Sequence, residues 1–222
     1  MRNPWLDIPL ADYEAHMALP TIGQSRLIAD QLDILINTYS PDSVAVVGCA
    51  GGNGFDRLVG TGARRVVGVD INPKYIEQAQ RRYAERISGL ELYITDIQSS
   101  ALIFEPVDLI YVALVFEYVD LAQTMNALRH HCKRDGVLAV LSQRPHETVT
   151  HVSPSPYTSL QMLAPRMRLV SPQELQQLAK LVGFSPEHSR VIASPGGKRF
   201  SVDEFRLRGT DGQTDGLSGR SA

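Results

Sequence analysis

VAVVGCAGGNG, Val44 to Gly54, is the stretch whose reading decides the fold. Its first four residues, Val44 to Val47, are apolar without alternation, which suits a strand covered on both faces, as in a parallel sheet. The strand runs directly into a glycine-rich turn, and a helix is expected from about Phe55 to Gly60. Gly48, Gly51, Gly52 and Gly54 give a bend with no Cβ in the way. Such a bend lets a ligand approach the main chain, and amides at the next helix start favour anionic or polar groups. A tight strand–helix turn in any α/β protein would look the same, so the flanking sequence has to decide.

Downstream, buried strands and helices alternate. Ala63 to Asp70 reads as the second strand, followed by a helix over INPKYIEQAQRRYAERISG with Pro73 near its first turn and Gly89 beyond its end. Leu90 to Ile97 is the third strand and Val107 to Val115 the fourth. A helix from about Asp120 to Cys132 stops near Asp135-Gly136, and Gly136 to Gln143 is the fifth strand. Ser171 to Phe184 opens with Ser171 as N-cap, Pro172 at the first helical position and Glu174 three after the cap. SRVIAS and KRFSVDEFRLRG then read as an antiparallel hairpin through Pro195-Gly196-Gly197. The expected fold is α/β: a doubly wound, Rossmann-like, mostly parallel seven-stranded sheet with a C-terminal antiparallel hairpin.

Ahead of the first strand, helices are expected over Leu10 to Leu19 and Gly23 to Tyr39, ended by Pro20 and Pro41. Three parts follow. Residues 1–40 are a helical lid. Residues 41–208 are the Rossmann-like domain, within which the proline-rich, aperiodic residues 144–165 form a substrate-side insertion. Residues 209–222 are a polar, Gly/Ser-rich disordered tail.

Composition narrows the partners. The 222 residues carry a net charge of −2, which argues against a general phosphate-backbone binder and so against nucleic acid. Arg64-Arg65 and Arg81-Arg82 read as solvated strand and helix ends. No apolar run reaches the roughly 18 residues needed to span a bilayer. The start, MRNPWLDIPLADYE, lacks signal-peptide character. Cys49 and Cys132 form no paired framework, which points to the cytoplasm. No cluster has metal-ligand spacing, so no metal is expected. Nothing in the sequence fixes an oligomeric state.

The chemistry gathers where the strands end. Right-handed crossovers place every parallel strand's C-terminus along one edge, and ligands bind in the crevice outside it. Gly48, Asp70, Asp96 and Leu114 should therefore converge. Asp70 stands 22 residues beyond Gly48, where a carboxylate can accept from both hydroxyls of a ribose; its bland alternative is a helix N-cap for Asn72-Pro73. Asp96 could accept an exocyclic amine of adenine; its alternative is an Asx turn. A nicotinamide-binding fingerprint would need glycines where Gly48, Ala50 and Asn53 stand, and two of these fail.

In this order of glycine turn, Asp70, Asp96 and VDLIYVALVFEYV, the chain resembles the class I S-adenosylmethionine-dependent methyltransferases, from about Val44 to Leu207. RLVSPQELQQLAKLVGF is similar to that family's late helix. The resemblance implies S-adenosylmethionine as cofactor. Gly48, Cys49, Ala50 and Gly52 would line its methionine and sugar, and Asp70 would hold the ribose with Ile71 against the adenine. Asp96 and Ile97 would meet the adenine ring, and Ala113 and Leu114 would lie beneath the sulfonium. Two positions depart from the family pattern: Val46 stands where an acid is usual, and Ala50 where a middle glycine is.

The expected activity is in-line methyl transfer to a small-molecule acceptor, in which a base is needed only if the nucleophile must lose a proton. Candidate bases are His16, Glu117, His146 and His151. Candidate acceptor contacts are Tyr13, Met17, Tyr118 and Tyr157. The alternative is a non-catalytic module that binds S-adenosylmethionine or S-adenosylhomocysteine and acts through a partner.

Overall fold

The computed structural model describes residues 3–99, 104–145 and 152–208. The elements are α1 (Leu10–Ala18), α2 (Gln24–Tyr39), β1 (Ser43–Val47), β2 (Arg65–Asp70), α3 (Pro73–Tyr83), β3 (Leu90–Ile94), β4 (Val107–Ala113), α4 (Leu121–His130), β5 (Cys132–Gln143), α5 (Pro172–Leu181), β6 (Phe184–Ala193) and β7 (Arg199–Leu207). They form a seven-stranded sheet in the order β3-β2-β1-β4-β5-β7-β6. Strands β1 to β5 run parallel, while β7 is antiparallel to both β5 and β6. This is the expected Rossmann-like sheet with its antiparallel end. The strand order reverses between β1 and β4, which opens a crevice at their C-terminal ends.

Alternation along the central strands builds two cores, one per face. Ala45, Val47, Ile110 and Val112 point to one side, where Leu121, Met125 and Leu128 of α4 and Leu175 and Ala179 of α5 cover them. Val44, Val46, Leu109 and Tyr111 point to the other, under Ile28, Leu32 and Leu35 of α2 and Ile76 and Ala79 of α3. Burial on both faces explains why β1 reads as an unbroken apolar run.

Several boundaries differ from the sequence reading, each for a local reason. The helix expected over Phe55 to Gly60 is only a 3-10 turn, Phe55–Arg57. Gly60 takes φ +74°, and the short connection must return at once to β2. β3 ends at Ile94 because Asp96 makes an Asx turn, its Oδ1 accepting from Gln98 N at 2.9 Å. β4 ends at Ala113 because Leu114 turns left-handed, with φ +56°. β5 starts at Cys132, before the Asp135-Gly136 pair: Asp135 has φ +60°, and the β4 register shifts beside this segment. The pair read as a turn is thus an irregularity within a strand. β6 begins at Phe184, ahead of SRVIAS, and Pro186 is tolerated because β6 is an edge strand. At the end of the aperiodic 144–165 segment, a 3-10 helix covers Thr158–Arg166 and runs one residue beyond it. The tail expected over 209–222 lies outside the described residues.

Candidate active site

A cleft opens at the C-terminal ends of β1, β2 and β4. Gly48, Ala50, Asp70, Ile71, Asp96, Ile97, Ala113 and Leu114 all line it. Trp5, Tyr13, Tyr75, Val115 and Tyr118 contribute further walls. Cys49 and Gly52 do not. The Cys49 side chain is fully buried beneath the turn, in the core shared with Phe55. Gly52 is buried against Tyr83, whose ring a Cβ there would meet at 2.4 Å.

Asp70 links the cleft to the glycine turn. Its Oδ2 accepts from Ala50 N at 2.9 Å, and its Oδ1 accepts from Asn72 N at 2.9 Å. It does not cap α3, because Asn72 does so, accepting from Lys74 N at 3.0 Å. Burial raises the Asp70 carboxyl to about 6, against the opposing pull of these amide donors. Ala50 holds φ +48° and Leu114 φ +56°. Left-handed backbone at a residue with a Cβ costs roughly 1–2 kcal/mol, so two such positions on one cleft mark a backbone shaped for something other than stability. Val46, at the position where an acid would anchor the turn, is buried in the core beneath α2. The anchoring acid is Asp70 instead.

The N-terminal segment forms the roof. Asn72 Nδ2 donates to Trp5 O at 2.8 Å, and the Tyr75 hydroxyl donates to Ile8 O at 3.1 Å. Arg82 grips α1 through both Glu14 oxygens, 2.5 and 3.0 Å, and also donates to Gly51 O at 3.1 Å. Trp5 packs edge-on against Tyr13 and Tyr118, with centroids 5.8 and 5.2 Å away. Tyr13 stacks on Tyr75 at 6.2 Å.

Behind Trp5, Tyr13, Leu114 and Tyr118 lies a second chamber, which shares these four residues with the cleft. His16, Met17, Gln24, Gln143 and Lys198 also line it, with Leu160, Leu163 and Met167. His16 Nδ1 is 2.8 Å from Ser155 Oγ; burial, and then the charge of Lys198, lowers its pKa. Lys198 Nζ donates to Gln143 Oε1 at 3.2 Å.

Of the other candidates, Glu117 lines neither cavity. It is 1% exposed, its Oε1 accepts from Gln143 N at 2.7 Å, its Oε2 has no partner among the described residues, and burial raises the carboxyl to about 7. Tyr157 packs on the Ile8, Leu160 and Leu163 cluster and lines neither cavity. His146 and His151 lie outside the described residues. Trp5, Asn72, Tyr75, Gln24, Gln143 and Lys198 escaped the sequence reading. Two of them carried a signal: Gln143, as the last residue of a strand whose C-terminus reaches this edge, and Asn72, as the residue directly before Pro73 at a helix start.

Residues 45–140 match the family model described as a methyltransferase domain. No curated protein matches the chain by sequence. Among solved structures, the N-methyltransferase NodS of Bradyrhizobium japonicum WM9, in complex with S-adenosyl-L-homocysteine, is 18% identical. The alignment covers 83% of this chain and 87% of that one, with a TM-score of 0.63. Magnesium protoporphyrin IX methyltransferase ChlM from Synechocystis PCC 6803, with bound S-adenosylmethionine, is 15% identical over 85% and 81% of the two chains, with a TM-score of 0.64. A chain of the complex between the Haloferax volcanii Trm112 methyltransferase activator and a methyltransferase is 15% identical over 87% and 98%, with a TM-score of 0.64. The fold is that of the class I S-adenosylmethionine-dependent methyltransferases. The match to the methyltransferase-domain model falls on strands β1 to β5 of that fold.

Proposed function

We propose that the chain transfers a methyl group from S-adenosylmethionine to a small molecule seated in the second chamber. One observation carries this reading: a cleft built from three strand ends shares the wall of Trp5, Tyr13, Leu114 and Tyr118 with a second, mostly apolar chamber.

The residues present suit the cofactor. Asp70 places a carboxylate at the end of β2, where it accepts from ribose hydroxyls once ionised. Ile71 and Ile97 supply apolar contact for a purine, and Asp96 an acceptor for its amine. Gly48, Ala50, Ala113 and Leu114 flank the sugar and methionine. Cys49 and Gly52 act from behind, shaping the turn. The cofactor supplies an electrophilic methyl; the chain binds, orients and excludes water. Holding donor and acceptor together contributes on the order of 7–11 kcal/mol by itself. Residues 1–40 and 144–165 serve as the lid. In support, Asn72, Tyr75 and Arg82 fasten the N-terminal segment, and Ser159 Oγ donates to Asp12 Oδ2 at 2.6 Å.

A partner-dependent reading draws on Val46 and Ala50, the two departures from the family pattern. Incubation with methyl-labelled S-adenosylmethionine and a panel of small acids, amines and phenols separates the two. Label transfer to any of them supports the enzyme. Tight binding of S-adenosylhomocysteine without transfer to any supports the partner-dependent module.

A further inference from the structure

The cleft and the second chamber share a wall of Trp5, Tyr13, Leu114 and Tyr118. Three of these residues are aromatic. Trp5 lies at 80° to Tyr13 and at 90° to Tyr118, with ring centroids 5.8 and 5.2 Å away. The rings thus form a corner and not a stack, and a corner keeps ring faces available that a stack would cover. Tyr75 backs Tyr13 at an interplanar angle of 25° and lines the same cleft. Among the described residues that line the cleft, those with a formal charge are Asp70 and Asp96, both acids.

We propose that this aromatic wall is a cation site: Trp5 and Tyr118, with Tyr13, favour the positively charged sulfonium of S-adenosylmethionine over the neutral thioether of S-adenosylhomocysteine. The inference rests on the reading above, in which the donor fills the cleft and the acceptor the chamber. A methyl passing from one to the other crosses the wall they share, so the sulfonium that carries it faces that wall. The negative faces of Trp and Tyr rings attract a cation, most strongly where water is excluded. Burial raises the Tyr13 and Tyr118 phenols above their ordinary pKa, so at neutral pH the attraction comes from ring faces and not from a phenolate. Asn72 fixes the backbone that carries the Trp5 ring, its Nδ2 donating to Trp5 O at 2.8 Å. Transfer takes the methyl and the positive charge from the sulfur together, so the wall loosens its hold as product forms. Trp5 and Tyr118 thereby determine specificity for the donor's charge, on a background set by Asp70 and Asp96.

The test is calorimetric titration of the full chain at pH 8, where Asp70, raised to about 6, is ionised throughout. Three ligands share the adenosyl and amino-acid parts: S-adenosylmethionine with a sulfonium, sinefungin with an ammonium-bearing carbon in its place, and S-adenosylhomocysteine with a neutral sulfur. Both cations are expected to bind about tenfold more tightly than the neutral ligand, the scale of one desolvated cation–ring contact. Tyr118→Phe keeps the ring and is expected to keep the preference. Trp5→Leu and Tyr118→Leu are each expected to reduce it to about threefold or less. Binding of S-adenosylhomocysteine shows that a variant is folded. Where Trp5→Leu fails to fold, Trp5→Phe, whose ring attracts a cation less, takes its place and is expected to lower the preference about twofold. Three results overturn the proposal: equal affinity for charged and neutral ligands, a preference that survives the Trp5 and Tyr118→Leu variants and so belongs to the two acids, or one that Tyr118→Phe abolishes as fully as Tyr118→Leu and so belongs to the hydroxyl. If none of the three ligands binds the native chain, the methyltransferase reading falls; if they bind without regard to charge, only this proposal falls.

Discussion

Asp70 holds the amide of Ala50: Oδ2 accepts from Ala50 N at 2.9 Å, across 20 residues of chain. The bond ties the end of β2 to the turn after β1 at the point where Ala50 departs into left-handed backbone, φ +48°. The usual acid of the β1 strand is replaced by Val46, so the turn draws its anchor from the neighbouring strand. One carboxylate therefore shapes the turn and faces the cleft.

Ligand affinity should depend on pH through that carboxylate. Burial raises Asp70 from 3.8 to about 6, and the ionised form is the better acceptor for ribose hydroxyls. The dissociation constant of S-adenosylhomocysteine is expected to rise as pH falls through 6, approaching about tenfold per unit. In Asp70→Asn the slope should vanish. Titrations between pH 5 and 8 check both.

Gly48 has φ +72°, and a Cβ there would lie 2.4 Å from Val115 Cγ2. Gly48→Ala should destabilise the fold by roughly 2–5 kcal/mol, the sum of left-handed strain and overpacking. Adding Val115→Ala removes the contact and should leave only the backbone part, roughly 1–2 kcal/mol. A double-mutant cycle in urea reads the difference.

Glu117 sets a pH dependence of stability. Its carboxyl is raised from 4.5 to about 7 by burial, so the folded state favours the proton more than the unfolded chain does. The stability this gives is fully present below about 4.5 and is lost as pH rises through 7, by about 3 kcal/mol at most. Glu117→Gln keeps an oxygen for Gln143 N and should flatten this slope, raising the melting temperature at pH 8 relative to the native chain.

The Arg82–Glu14 pair is 41% and 39% exposed, so solvent screens it. Glu14→Gln should cost less than about 1 kcal/mol of global stability, and less still in high salt. It should act instead on the roof, speeding dissociation of S-adenosylhomocysteine in stopped-flow measurements.

Much of this was legible in the sequence because it is local. Unbroken apolar strands, the Ser171-Pro172-Glu174 cap, and acids closing the second strand and following the third all follow from near neighbours along the chain. Asn72 as the cap of α3 could have been preferred to Asp70, since it directly precedes Pro73. What stayed hidden is long-range. Trp5 meets Tyr118 only after the N-terminal segment crosses the strand ends. Lys198, beside two glycines at a hairpin tip, carries every local mark of an exposed turn, and only tertiary packing turns it inward. Glu117 follows β4 as a base near the chemistry would, yet its Oε1 is bound to Gln143 N. The short Phe55–Arg57 turn shows tertiary constraint overriding a helix start.

Calorimetry of S-adenosylhomocysteine with the native chain and with Asp70→Ala tests the central claim most directly. The account predicts one site per chain, and a loss of about 1.5–3 kcal/mol in the variant, the worth of a hydrogen bond to a charged group. No binding by the native chain at millimolar ligand, or equal affinity in Asp70→Ala, would contradict it.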